Sequence, residues 1–348
     1  MRIAIATSQI PFLSGGAEIL VANLKHELTR RGHEADVVSL AFKWYPAEEI
    51  PKHVLMARLV DLSEADGRPI DRVIALKFPA YCVRHPQKIV WLLHQHRQAY
   101  DLWGAPECDL MRFADGRLVR DFIHDADRRF LAEARAIFGI SREVLGRLES
   151  QENVDSRPIY PPPDRPDTFR AGDYGDYVFY PSRMSNNKRQ QLLLEAMARV
   201  RTNVRCVLAG ATSGPDTPYR LEHYRRELGL GERVVFAGEV SHEEKLRLYA
   251  GALAVFFGPV REDYGFVTLE AFLSRKAVVT CSDSGGPLEF VEDGTNGFVV
   301  EPEPQAIADR LDALYEDRAR ARSLGEAGYE TYRAKGIGWD SAIERLLA

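Results

Sequence analysis

Apolar positions along this chain alternate between two periods, and the alternation predicts its elements. Arg2 to Thr7 is a short β-type run, and Ala17 to Arg31 sets Ile19, Leu20, Ala22, Leu24 and Leu28 at helical spacing before Gly32. Glu34 to Leu40 reads as the next strand. The strand and helix periods then recur, with strands at Asp71 to Leu76, Lys88 to His94 and Ala136 to Ile140, a helical run from Arg120 to Ala136, and a new helix opening at Ser141. This rhythm predicts an α/β fold with a parallel sheet. From Arg157 to Arg170 the periodicity fails: RPIYPPPDRPDTFR holds five prolines in fourteen residues and reads as an extended interdomain linker. Beyond it, strands are predicted at Tyr177 to Ser182, Arg205 to Ala209, Val234 to Ala237, Ala254 to Phe257 and Ala277 to Thr280, so a second doubly wound domain follows. The tail from Pro304 is helical by pattern and ends in Trp339 to Leu347. The expected division is a first domain 1–165, a second 166–330 and a closing segment 331–348.

Composition narrows the class. A chain of 348 residues exceeds what one hydrophobic core usually organises, and 45% apolar with 28% charged residues excludes disordered, collagenous and coiled-coil proteins. Lys and Arg total 46 against 51 Asp and Glu, a net charge of −5, so the global positive field that draws in nucleic acid is absent. Cys82, Cys108, Cys206 and Cys281 form no C-x-x-C pair, which argues against a disulfide framework or structural zinc and fits a reducing cytoplasm. Met1 to Thr7 enters a strand without an apolar leader, and no apolar run approaches a membrane span. Any membrane contact is therefore expected to be peripheral, at the inner face.

Three stretches carry candidate chemistry. Ser14-Gly15-Gly16-Ala17-Glu18 joins a strand to a helix, where glycines admit close backbone approach to a phosphate and the helix start supplies free N–H groups; a plain turn has the same spelling. Tyr180-Pro-Ser-Arg183-Met-Ser-Asn-Asn-Lys188 follows the first strand of the second domain and opens its first helix. An Arg fork and a Lys point charge together suit a pyrophosphate, and cations at a helix start otherwise oppose its dipole. Arg261-Glu262-Asp-Tyr-Gly265-Phe266-Val267-Thr-Leu-Glu270 places two glutamates eight residues apart across a glycine, Glu262 on a loop and Glu270 in the opening turns of a helix. Both can face the crevice beyond the strand ends, where each carboxylate accepts from sugar hydroxyls and the Phe266 and Val267 amides point at an anion. The bland alternatives are a solvated loop charge and dipole complementarity. Asp125-x-Asp127 has the spelling of a metal pair, but residues two apart on a helix diverge. His94-Gln-His96 suggests zinc but lacks further ligands at suitable spacing, and no metal site is expected. The run Trp91 to Trp103 suits an acceptor-binding loop, although aromatics are as often core.

Taken in order, Glu262-x7-Glu270, Gly265-Phe266-Val267, Ser284-Gly285-Gly286-Pro-Leu-Glu289 and the turn Asp293-Gly294-Thr-Asn296-Gly297-Phe298 resemble glycosyltransferase family 4. Arg183 and Lys188 match its basic pair, Gly15-Gly16 its amino-terminal glycine loop, and His94 its histidine near the donor sugar. The resemblance covers almost the whole chain. It implies the GT-B architecture, two Rossmann-like domains facing a central cleft, with an acceptor-binding first domain, a nucleotide-sugar-binding second domain and a closing helix that returns to the first. It further implies transfer of a hexose of mannose or glucose type, with retention, from a nucleotide-diphosphate sugar to a saccharide or lipid-linked saccharide in surface polysaccharide or glycolipid assembly. On that resemblance Arg183 and Lys188 hold the diphosphate, Gly15, Gly16, Phe266 and Val267 belong to the backbone that cradles it, and Gly265 permits that cradle. Glu262 binds sugar hydroxyls, Glu270 the ribose and His94 the far sugar hydroxyl, while base readout falls near Gly238-Glu239-Val240 and Gly210 counts among the donor-binding residues. The donor is a substrate, so no cofactor and no metal is expected. Gly210-Ala-Thr in place of Gly-x-Gly, and Asn186-Asn187 before Lys188, depart from the family pattern and leave the nucleotide open. Two rival readings are a dinucleotide-dependent oxidoreductase, which lacks G-x-G-x-x-G and its ribose-binding acid, and an inactive nucleotide-sugar binding protein, which the intact Arg183, Lys188, Glu262 and Glu270 argue against.

Overall fold

The computed structural model describes residues 1–12, 15–105, 108–148, 154–155, 157–212 and 216–348. Ser14 of the first glycine loop lies outside the described residues. Its first sheet uses β1 (Arg2–Gln9), β2 (Glu34–Ala41), β5 (Arg72–Lys77), β6 (Lys88–His94) and β7 (Ala136–Gly139), in the order β2-β1-β5-β6-β7, all parallel. A short antiparallel hairpin, β3 (Glu64–Ala65) with β4 (Arg68–Pro69), precedes β5. The second sheet runs β10-β9-β8-β11-β12-β13, from β8 (Tyr177–Pro181), β9 (Arg205–Ala209), β10 (Val234–Gly238), β11 (Ala254–Phe256), β12 (Val278–Cys281) and β13 (Gly297–Val300), again all parallel. Central strands read as unbroken apolar runs because helices cover both faces: Ile3 to Ala6, Val73 to Leu76 and Ile89 to Leu93 are all buried. In each sheet the strand order reverses beside its first strand, between β1 and β5 and between β8 and β11, and the crevice outside the carboxyl ends at such a point is where a ligand fits. The α/β doubly wound reading stands.

Contacts divide the chain into Met1–Asp164 with Gly338–Ala348, and Arg165–Ile337. Residues 331–337 fall in the second unit, because the helix Arg318–Ala334 continues through 330 with Tyr332 buried. The closing helix Trp339–Leu347 lies on the first unit: Trp339 meets the buried Trp91 edge-on at 6.2 Å, Arg345 donates to Asp155 and to the Pro158 and Arg157 carbonyls, and Arg72 donates to the Leu346 carbonyl at 2.9 Å. The proline segment begins as part of the first unit rather than as a free linker, since Ile159 is buried, its N–H donates to Gly139, and its carbonyl takes the Trp91 Nε1 proton.

Several expectations need correction. The helix read as Arg120 to Ala136 is Gly116–Leu131, and the Arg135 N–H already bonds the Lys88 carbonyl to start β7. The helix Glu49–Leu59, the hairpin and β13 escaped the pattern, β13 because Asp293 to Phe298 reads as a turn. In the run Trp91 to Trp103, Trp91 is core, while the half-buried Tyr100 stacks on His124 at 4.3 Å and the half-buried Trp103 lies under the Arg120 guanidinium. Asp125 and Asp127 part company, Asp125 pairing with Arg128 while the buried Asp127 accepts from the Tyr81 and Tyr100 hydroxyls at 2.6 and 2.7 Å.

Burial raises the Asp127 carboxyl to about 6, against the two hydroxyls and Gln95, which favour the anion. A native value above the unfolded one adds stability below about pH 4 that is lost as pH rises through about 6. The Tm of the wild type should therefore fall relative to that of Asp127→Asn between about pH 4 and 6; parallel melting curves over that range would contradict this. Removing residues 338–348 should speed amide exchange in β6 and β7 of the first unit while leaving β8 to β13 protected, as hydrogen exchange can show.

Candidate functional site

In the second unit the carboxyl ends of β8 and β11 carry the predicted site. Past β8 the chain makes a 3-10 turn, Asn186–Lys188, followed by Arg189 in a left-handed conformation and then the helix Gln190–Met197. Lys188 thus precedes the helix instead of opening it. Its ammonium donates to Glu262 Oε2 at 2.5 Å and sits 5.2 Å from the centre of the Phe257 ring. The buried Tyr180 fixes this turn from below by donating its hydroxyl to the Lys188 carbonyl. Arg183, exposed, has no ion-pair partner among the described residues. Gly210 stands at φ 149°, and a Cβ there would lie 2.3 Å from the Ser182 carbonyl oxygen, so the missing side chain admits the segment that carries Arg183.

The cation expected to oppose the helix dipole is Arg189, which the sequence reading passed over. It donates to the Gly258 and Pro259 carbonyls at 2.9 and 2.8 Å and forks onto Asp283 at 3.0 and 2.6 Å. Asp283 neutralises it, and the loops after β8, β11 and β12 are tied together.

Glu262 owes its position to the loop after β12. Its N–H donates to the Ser284 carbonyl at 2.8 Å, and its carbonyl accepts from Gly286 at 2.7 Å. Such contact needs bare backbone opposite: a Cβ on Gly285 (φ 71°) would lie 2.7 Å from Glu262 O, and one on Gly286 2.6 Å from Tyr264 O. Gly265, at φ 91°, caps the helix Phe266–Leu273 where a side chain would meet Pro287 and Phe257. Phe266 and Val267 therefore present first-turn N–H groups that find no acceptor among the described residues. One turn on, the buried Glu270 accepts from Lys245 Nζ at 2.8 Å and from the Tyr249 hydroxyl at 2.7 Å. Lys245 and Tyr249 ride on the helix His242–Gly251, which follows the half-buried Val240 and is capped by Ser241. The two glutamates are thus held by separate cations.

In the first unit, Gly15 caps the helix Gly16–Arg30 in extended backbone, donating its N–H to Glu18 Oε2 at 2.9 Å. Glu18 Oε1 takes a proton from Lys77 Nζ at 2.8 Å, and Lys77 lies opposite His94 in the β5–β6 register. Gly15, Gly16 and His94 therefore share the carboxyl edge of this sheet with an ion pair that sequence reading missed. Its one signal was a lysine closing a buried strand. The half-buried His94 bonds the Gln95 carbonyl through Nδ1 at 2.9 Å. His96 is buried against Phe42 and Phe78, and burial pushes its imidazole down to about 4, so it is neutral.

Residues 168–331 match the family model of glycosyl transferases group 1. The match lies within the second unit, Arg165–Ile337. The D-inositol 3-phosphate glycosyltransferase of Frankia alni is 25% identical over 96% of this chain and 93% of its own length. Among solved structures, a sucrose-phosphate synthase of Thermosynechococcus elongatus superposes with a TM-score of 0.78 at 20% identity, covering 99% of this chain and 97% of its own. HepE of Anabaena, in complex with UDP and glucose, gives 0.74 at 18% identity over 100% and 98%. The resemblance carried by the motifs is borne out, and with it the GT-B fold.

The glycines supply a graded test. Gly294, at φ 73° with open space around it, should lose about 1 kcal/mol on change to Ala, the usual left-handed penalty. Gly285→Ala adds a clash with Glu262 backbone and should cost clearly more in denaturant unfolding; equal losses would show that the approach is slack.

Proposed function

We propose that the chain is a retaining, metal-independent hexosyltransferase that moves a mannose- or glucose-type sugar from a nucleotide-diphosphate donor to a hydroxyl of a saccharide or lipid-linked saccharide, in surface polysaccharide or glycolipid assembly. The observation that carries this reading is one sheet-end crevice holding the Lys188–Glu262 pair with an Arg183 guanidinium and Phe266 and Val267 amides that have no ion-pair partner or acceptor among the described residues. A diphosphate gains charge as the glycosidic bond breaks, and preorganised cations and N–H dipoles stabilise that charge without reorganising. They also supply what a divalent cation would otherwise bring. HepE's complex with UDP and glucose lends support to a nucleotide-sugar donor here.

Charge pairing bears on the stereochemistry as well. A double displacement needs a carboxylate free to attack the anomeric carbon from the face opposite the leaving group. Glu262 is committed to Lys188, and Glu270 to Lys245 and Tyr249. A leaving-phosphate oxygen then serves as base for the incoming hydroxyl, with attack and departure on one face through an oxocarbenium-like state. Arg183 and Lys188 would hold the diphosphate, Glu262 the sugar hydroxyls and His94 the far hydroxyl. The enzyme would work in the cytoplasm, with peripheral contact at the inner membrane face.

One transfer assay tests the reading. Arg183→Ala and Lys188→Ala should each lower kcat roughly 100-fold, the loss typical of one such donor, and Lys188→Arg should restore only part, since a fork is not a point charge. EDTA should leave the rate unchanged, and proton NMR should show an α-linked product from an α-linked donor. Near wild-type turnover by the double variant sinks the assignment. Rescue of an EDTA-treated enzyme by magnesium sinks metal independence, and a β-linked product sinks retention.

A further inference from the structure

We propose that Lys245 and Tyr249 are positioning residues that hold the Glu270 carboxylate as a fixed double acceptor for the ribose hydroxyls of a nucleoside diphosphate. This rests on the donor site proposed above, and concerns two side chains that no motif of the sequence singles out. A carboxylate offers about four lone-pair sites. Lys245 takes one on Oε1 and Tyr249 one on Oε2, which leaves one on each oxygen, the pattern that two neighbouring hydroxyls can fill. Tyr249 is well placed to lock the carboxylate, being fully buried with its ring edge-on to Phe179 at 5.0 Å and Phe169 at 5.7 Å. Burial and the adjacent carboxylate push its phenol well above the ordinary value, so the hydroxyl stays protonated and donates to Glu270. Lys245, a quarter exposed, places an opposite charge 2.8 Å from the buried carboxylate. The two sit four residues apart, on one face of the helix His242–Gly251.

The place of Glu270 relative to the free amides supports ribose rather than a purely structural ion pair. Phe266 and Val267 lie four and three residues before it, on the same helix face. An anion at those amides is therefore about one helical turn, some 5.4 Å, from the carboxylate, a spacing that a diphosphate and its attached ribose span. Losing either donor lets the carboxylate rotate or leaves its charge poorly compensated, which weakens a hydroxyl-bearing ligand more than one without hydroxyls.

The test is isothermal titration of the intact protein with GDP, UDP or ADP, whichever raises the wild-type Tm most, and with the 2′,3′-dideoxy form of that nucleotide. The readout is the ratio of the two affinities. Tyr249→Phe, which keeps the ring, and Lys245→Met should each cut the preference for the ribose form about tenfold, and Lys245→Arg should recover most of it. Equal weakening of both forms, or an unchanged ratio, overturns the proposal and leaves the donor site standing if Glu270→Gln still lowers the ratio. If none of the three nucleotides binds the wild type, the donor reading itself falls and this inference with it.

Discussion

Everything that gives the second unit its chemistry depends on two loops running side by side as bare backbone. Glu262 exchanges hydrogen bonds with Ser284 and Gly286, and the exchange is possible only because residues 285 and 286 have no Cβ. That contact sets the Glu262 side chain toward Lys188, and, three residues on, brings Gly265 to the turn that starts the helix Phe266–Leu273. The close approach is a steric constraint before it is a functional one: a methyl group at Gly285 would remove the order that follows. Gly210 plays the same part for the segment after β8.

Charge is the second organising constraint. The crevice beyond β8 and β11 collects cations, and cations in a partly buried place cost solvation unless each has a partner. Lys188 is answered by Glu262, Arg189 by Asp283 and Lys245 by Glu270. Arg183 alone, exposed to water, remains without an ion pair among the described residues. The pairing keeps the unliganded site ordered, and leaves one guanidinium and two helix amides with capacity for an anion. In the first unit Lys77 and Glu18 follow the same logic beside Gly15, so the glycine loop is tied to the strand that neighbours His94.

The β strands were legible because buried parallel strands are written as continuous apolar runs: Lys88–His94 and Arg205–Ala209 have the ends that the pattern predicts. Helix ends were less so, since Gly116–Leu131 stops at a hydrogen bond from Arg135 to Lys88 that no local feature announces. The candidate site was legible where glycines and charges recur at short spacing, as in Arg183 to Lys188 and Glu262 to Glu270. Arg189, Lys77, Lys245 and Tyr249 were not, because each works through a partner between 21 and 94 residues distant, where a lone Lys, Arg or Tyr reads as a solvated or core residue.

By itself, then, the chain's pattern of apolar runs, glycines and paired charges determined an α/β protein with two doubly wound units, a proline-marked boundary and a family resemblance carried by motifs in order. Those are properties of local sequence, since period, turn chemistry and backbone permissiveness act over a few residues. Tertiary structure alone decided which charges meet. It paired Glu270 with Lys245 and Tyr249, gave Arg189 to Asp283, closed Asp127 under two tyrosines and laid Trp339 against Trp91. Such pairings arise where strand order and helix packing bring distant segments within hydrogen-bond reach, and distance along the chain carries no record of that.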